Sequence, residues 1–191
     1  MGRLIYTAAL VAVGAAVVHF AIVFLLPTTS PNSAGRQLLE AITEPITTAT
    51  NLSALEKDGF VNLGLDPAFR VLACRYDVTE TPFRMMASGR VPLWTISVLD
   101  SAGVSVFSAN DRISPSDGVD VAVLNPTQLR TFRQTPDPSL DRSIIVAPGD
   151  STGFVIVRVF EPDGSWASIV DDFATNTTCR PFTLSTGAQA S

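Results

Sequence analysis

The stretch Leu93–Ser108 reads LWTISVLDSAGVSVFS. Two runs of period two, Leu93–Leu99 and Val104–Ser108, flank the turn residues Asp100-Ser101-Ala102-Gly103. Successive side chains on a strand point to opposite faces, so alternation around a Gly-bearing turn predicts a β-hairpin. The same periodicity continues outward on both sides. Upstream lie Phe69–Asp77 and, set off by Pro82 and Ser88-Gly89, Phe83–Ala87; downstream lie Val119–Leu124, Ser143–Ala147, Gly153–Glu161 and Thr178–Leu184. Two segments break the pattern with helical spacing. Asn125-Pro126-Thr127-Gln128 has a capping Asn, Pro at the first helical position and Gln three residues on, which predicts a helix to about Arg133. Ser165 is the expected cap of a second helix, whose Trp166, Ile169, Val170 and Phe173 share one face. Seven or eight strands and two short helices in about 125 residues predict a mainly β fold, a β-sandwich or jelly-roll-like domain.

The N-terminus is of another kind. Leu4–Leu26, LIYTAALVAVGAAVVHFAIVFLL, carries no formal charge. As a helix it would be about 34 Å long, enough to cross a hydrocarbon core of roughly 30 Å. A cleaved secretory signal is the alternative, but its apolar region should be only about 7–15 residues before a small-residue cleavage site. The nearest candidate cut, after Ala34, puts Asn32 at the minus-three position. We therefore expect a single retained transmembrane helix at residues 1–27. A stalk with a short helix over Arg36–Ile42 follows at 28–58, then a β-rich extracytoplasmic domain at 59–186 and a tail at 187–191. Arg3 precedes the span, and Arg36 is the only basic residue between the span and Lys57. Positive charge stays on the cytoplasmic side, so the expectation is a bacterial inner-membrane protein with its N-terminus inside and its domain in the periplasm. Cys74 and Cys179 fit an oxidising compartment as one disulfide, with two buried free thiols as the alternative. His19 inside the span lacks an acidic partner in its helix, and Ala8, Ala12 and Ala16 form a ridge of small residues.

Composition excludes more than it suggests. Of 191 residues, 46% are apolar and 16% charged, with 13 Lys+Arg against 18 Asp+Glu for a net charge of −5. The pI of about 4.7 argues against nucleic acid as a partner. A single His and two Cys cannot make an ordinary zinc site, and no metal or cofactor is expected. Gly149-Asp150-Ser151-Thr152-Gly153 matches the nucleophile-elbow pattern, but a strand follows it and the one His is in the apolar span, so no Ser-His-Asp triad can form within the chain. Ser53 and the sole lysine, Lys57, stand four apart, which does not fit the S-x-x-K spacing. Asp111, Asp117 and Asp120 lack the alternating ligands and bidentate Glu of a calcium loop. Arginine supplies most of the positive charge. Arg158 interrupts the apolar run Phe154–Phe160, where a buried guanidinium needs a carboxylate or carbonyl partner. Arg158 and Arg75 are accordingly the candidate anion-binding residues; if Arg158 shares its face with the core, it must be paired.

Several stretches resemble the proteobacterial domain-of-unknown-function 1254 family in its short, membrane-anchored form. They are Asp66–Phe69 with Cys74–Asp77, Trp94–Asp100 with Gly103, Ser108–Arg112, Gly153–Val155 through Arg158-Val159, and Pro162–Trp166 with Cys179. The resemblance spans about residues 65–180. It implies a β-rich exported domain, frequently encoded near a partner domain of similarly unknown function, and it supplies no catalytic residues. The expected role is a binding or envelope-assembly factor, not an enzyme. Its partners would be the lipid bilayer through Leu4–Leu26 and another envelope protein. The alternative is a non-metal, non-triad enzyme or carrier for a small anionic ligand.

Overall fold

The computed structural model describes residues 2–29, 38–40, 42, 49–60, 62–113 and 118–185. Helix α1 (Gly2–Thr29) has no buried residue over Gly2–Leu25, where mean hydropathy is 2.5. By length and composition it can cross a membrane.

Residues 34–191 form a separate compact unit. Its strands are β1 (Thr50–Asn51), β2 (Phe69–Asp77), β3 (Phe83–Ala87), β4 (Trp94–Asp100), β5 (Ser105–Asn110), β6 (Val119–Val123), β7 (Ile144–Val146), β8 (Thr152–Phe160) and β9 (Thr178–Pro181). They make two sheets, ordered β1-β2-β8-β4-β5 and β7-β6-β3-β9. The hairpin expected from Leu93–Ser108 is the β4–β5 pair, with Val98 opposite Phe107. Its turn is closed by Asp100, whose Oδ1 accepts from the amides of Ala102 and Val104. Between the sheets lies the main core, with Leu72, Tyr76, Ile96, Val155 and Val157 from one side and Met85, Val121, Val123 and Cys179 from the other. The fold is the expected two-sheet sandwich.

Both outer faces are also covered in part. On the four-stranded sheet, Ala122 and Leu124 pack with Leu140 under Leu129 and Phe132 of α3 (Pro126–Gln134). The α3 helix crosses from β6 to β7, which pair in parallel. Its capping box is present: Asn125 Oδ1 accepts from Gln128 N at 2.8 Å, and Gln128 Oε1 accepts from Asn125 N at 2.8 Å. Both side chains also donate to Val78 O, fixing the helix start to the β2–β3 turn. On the five-stranded sheet, Val71, Ala73 and Phe154 pack with Leu38, Ile42 and Leu52. This corrects the reading of residues 28–58 as a stalk outside the core. Leu38, Ile42 and Leu52 are buried, and β1 and α2 (Leu52–Lys57) belong to the domain because they close an apolar face that would otherwise meet water. The remainder of the expected Arg36–Ile42 helix and the 187–191 tail lie outside the described residues.

The second helix, α4 (Ala167–Thr175), also differs at its start. Ser165 does not cap it. Asp163 accepts from Ser165 N at 2.8 Å, capping a short 3-10 turn that runs into the helix. Val170 and Phe173 are buried, whereas Ile169 is 41% exposed, so the apolar face is narrower than its spacing implied.

The end of the described chain is held by a buried carboxylate. Asp137, 4% exposed, accepts from Ser185 N and from Ser139 N, each at 2.9 Å. The Ser185 amide foremost, and then Ser139, pull its pKa down to about 2 despite the opposing effect of burial. A carboxyl depressed in the folded state stabilises above its unfolded pKa near 4, and that contribution is lost as pH falls toward 2. It amounts to about 2 kcal/mol at neutral pH. Urea unfolding of Asp137→Asn should show that loss at pH 7 and should converge on wild type by pH 2.

Candidate functional site

Arg158 decides where a site can be. The core-facing residues of β8 are Val155, Val157 and Val159, so Arg158 stands on the other side and is exposed. The condition under which the guanidinium would be buried and paired is therefore not met. Among the described residues Arg158 makes no ion pair. Arg158→Met should change unfolding stability by no more than roughly 0.5 kcal/mol. A loss of several kcal/mol in denaturant titration would contradict the exposed placement.

Register places Arg158 between Val71 of β2 and Thr95 of β4. The next row toward the strand end holds Phe69 opposite Phe160, their rings 5.5 Å apart, with Leu93 accepting from the Phe160 amide. Over these two rows lies the loop of residues 63–66. Its position is set by one carboxylate: Glu56 on α2 accepts from the amides of Leu63, Gly64 and Leu65 at 2.7, 2.6 and 3.0 Å. Gly64 has φ +64°, a left-handed conformation open to glycine without strain. Between loop and sheet is a cleft of about 400 Å³, within the usual range of small-molecule sites. Leu63, Leu65, Phe69, Val71 and Leu93 make its apolar lining, and Asp66, Thr95 and Arg158 are its polar side chains. Asp66 is fixed by its own turn, where Oδ1 accepts from Ala68 N at 2.9 Å.

The other candidate, Arg75, lies on the same outer face but opposite Phe154. Four residues of strand separate the two registers, about 13 Å. The structure does not bring Arg75 and Arg158 into one site. Arg75 is half-buried and helps, after the hydrogen bonds from Thr79, to hold the Asp77 carboxyl below the usual range.

Cys74 and Cys179 are joined as expected. The disulfide connects β2 of one sheet to β9 of the other, with Cα atoms 6.1 Å apart, inside the range that a bridge requires. Both residues are buried.

Two arginine pairs were not singled out from sequence. Arg70, at the end of β2, bonds Glu161 at 2.8 Å and Asp171 of α4 at 2.7 Å. It borders a wider hollow of about 660 Å³ that Ser53 and Lys57 also line. Ser53 is unsuited to nucleophilic work there. Its Oγ accepts from Val71 N at 2.9 Å and donates to Phe69 O, which ties α2 to the sheet, and Lys57 is exposed. Arg84 forms a bidentate pair with Asp120, which also accepts from Ser143 Oγ at 2.8 Å. That engagement takes Asp120 out of the acidic loop; Asp117 lies outside the described residues. Among the described residues no cluster of three or more His, Cys, Asp or Glu could hold a metal ion. The Gly149–Gly153 stretch is a turn entering β8, as its sequence context required.

No protein-family model and no curated protein matches the sequence. Among solved structures, a Vibrio parahaemolyticus protein superimposes with a TM-score of 0.57 at 10% identity, covering 78% of this chain and 34% of that one. An uncharacterised Burkholderia cenocepacia protein gives a TM-score of 0.42 at 13% identity over 70% of this chain and 33% of the other. The chain thus spans about a third of the length of each. The Vibrio likeness is one of fold.

The cleft itself escaped sequence reading because no single stretch forms it. Its lining comes from a loop, three strands and the register between them, and only the lone arginine in an apolar run marked the place.

Proposed function

We propose that this chain is a single-pass bacterial inner-membrane protein whose β-sandwich lies in the periplasm and works as a binding or envelope-assembly module, not as an enzyme. The observation that carries this reading is α1, an apolar helix with no buried residue over Gly2–Leu25, in a chain whose separate domain is closed by a disulfide. An exposed apolar helix of that length is stable in lipid and costly in water, and disulfides persist in oxidising compartments. The resemblance to the domain-of-unknown-function 1254 family supports the same assignment. Edge strand β5, with Val106 exposed on it and Val104 exposed just before it, suits contact with another envelope protein. A reporter active only outside the cytoplasm, fused after Ser191, should be active, and alkaline washing should leave the chain in the membrane pellet. Activity of a cytoplasm-only reporter at that position would overturn the localisation.

A second reading, a carrier for a small anionic ligand, is favoured by one observation. The cleft under the 63–66 loop presents Arg158 to a ligand beside an apolar floor.

A further inference from the structure

The cleft holds two charges of opposite sign that do not neutralise each other. Arg158 and Asp66 both line it, and among the described residues neither takes part in an ion pair. The carboxylate of Asp66 uses Oδ1 for the Ala68 amide. Around the two charged groups the lining is apolar, with Phe69, Val71, Leu93 and Leu65 contributing. An anion with an apolar tail would match the arginine and the floor but would enter a cleft that the like-charged Asp66 also lines. A ligand that is itself doubly charged and apolar at one end answers all three. Its carboxylate takes the planar, two-pronged donor of Arg158, its ammonium faces Asp66, and its side chain covers Phe69 and Val71.

We infer that this cleft is a binding site for a zwitterion with an apolar side chain, in chemical class an apolar α-amino acid. The inference rests on the anion-carrier reading and narrows it. The site's rigidity fits the role: Glu56 pins the roof through three amides, and the floor is paired strand.

Four probes share a six-carbon chain and differ in charge: L-norleucine, hexanoate, hexylamine and hexanol. Each is titrated calorimetrically into the full chain in lipid nanodiscs, with empty nanodiscs as blank. L-Norleucine should bind at least about tenfold more tightly than any of the other three, as expected when a charge-assisted hydrogen bond is lost. Arg158→Gln should weaken L-norleucine about tenfold and bring it level with hexylamine. Asp66→Asn, which keeps an oxygen for the Ala68 amide, should bring it level with hexanoate. Urea unfolding of both variants should match wild type, since each side chain is exposed. Hexanoate binding as tightly as L-norleucine, with sensitivity to Arg158→Gln, overturns the zwitterion and leaves the anion carrier standing. If none of the charged probes binds better than hexanol, both fall.

Discussion

A chain with both Cys74 and Cys179 replaced by alanine is expected to unfold with a stability about 4 kcal/mol below wild type, within the 2–5 kcal/mol seen when native disulfides are removed. The reason lies mainly in the unfolded state. The bridge closes a loop of 105 residues, which in the chain-entropy account removes much of the freedom the denatured ensemble would otherwise have. Within that loop lie β3 to β8, so all but the first two strands and the last are constrained at once. The folded state adds a local argument. Strand β9 is short and sits at the edge of its sheet, pairing only with β3. Without the bridge it would depend on four register positions and the tail contacts made through Asp137. Urea midpoints of oxidised wild type, reduced wild type and the double variant, all in one detergent, give the comparison. A loss below 1 kcal/mol would show that β9 is secured by packing alone.

Gly153→Ala is the second large effect, and no solvent or pH condition should rescue it. Gly153 lies in β8, opposite Tyr76 of β2 on one side and Asp100 of β4 on the other. A Cβ at this position would stand 2.2 Å from Leu99 O and 2.5 Å from the Tyr76 hydroxyl. Neither neighbour can yield cheaply. Leu99 O is backbone, and the buried Tyr76 hydroxyl donates to it at 3.1 Å; burial, and then the nearby Asp100 and Asp150, push that phenol's pKa up. The added methyl therefore forces strands β8 and β4 apart or breaks the tyrosine hydrogen bond, for a combined cost of about 3 kcal/mol or more. Gly149→Ala, four residues earlier with nothing within 4 Å of its Cβ, should stay within roughly 0.5 kcal/mol. Equal losses for the two variants in thermal melts would mean that the close approach at Gly153 is relieved elsewhere.

Legibility of this fold followed the number of layers on each strand. Where one face meets the core and the other meets water, alternation located the strand, as at Phe83–Ala87 and in the β4–β5 hairpin. The capping box at Asn125 was equally plain, because it depends on four consecutive residues. Strand β8 is central and covered on both sides over Phe154 and Val155. Its apolar run is nearly continuous, so nothing in the sequence showed which parity faced inward, and Arg158 could be assigned to either face. The covering layer was missed for a related reason. Leu38, Ile42 and Leu52 sit among Thr, Ser, Pro and Glu, with too few apolar residues to signal burial until Phe154 and Val71 are seen beneath them. The cleft inherits both blind spots, since its floor is that outer face and its roof follows that layer.

The bridge between β2 and β9 also governs how the molecule would carry force. Tension applied between the N-terminal helix and a load at the C-terminus enters the domain before Cys74 and leaves it after Cys179. The covalent link passes that tension directly from one to the other. Strands β3 to β8 and both arginine–carboxylate pairs at Arg84 and Arg70 then divide by position. Arg84 and Asp120 lie inside the shielded loop and stay slack under pulling. Arg70 lies on the loaded side, on β2, with β1 and α2 ahead of it. A pulling experiment on the oxidised chain would thus extend only the segment before Cys74 and the few residues after Cys179. The layer over the cleft and the first half of β2 would peel first, while strands β3 to β8 stayed within the unloaded loop.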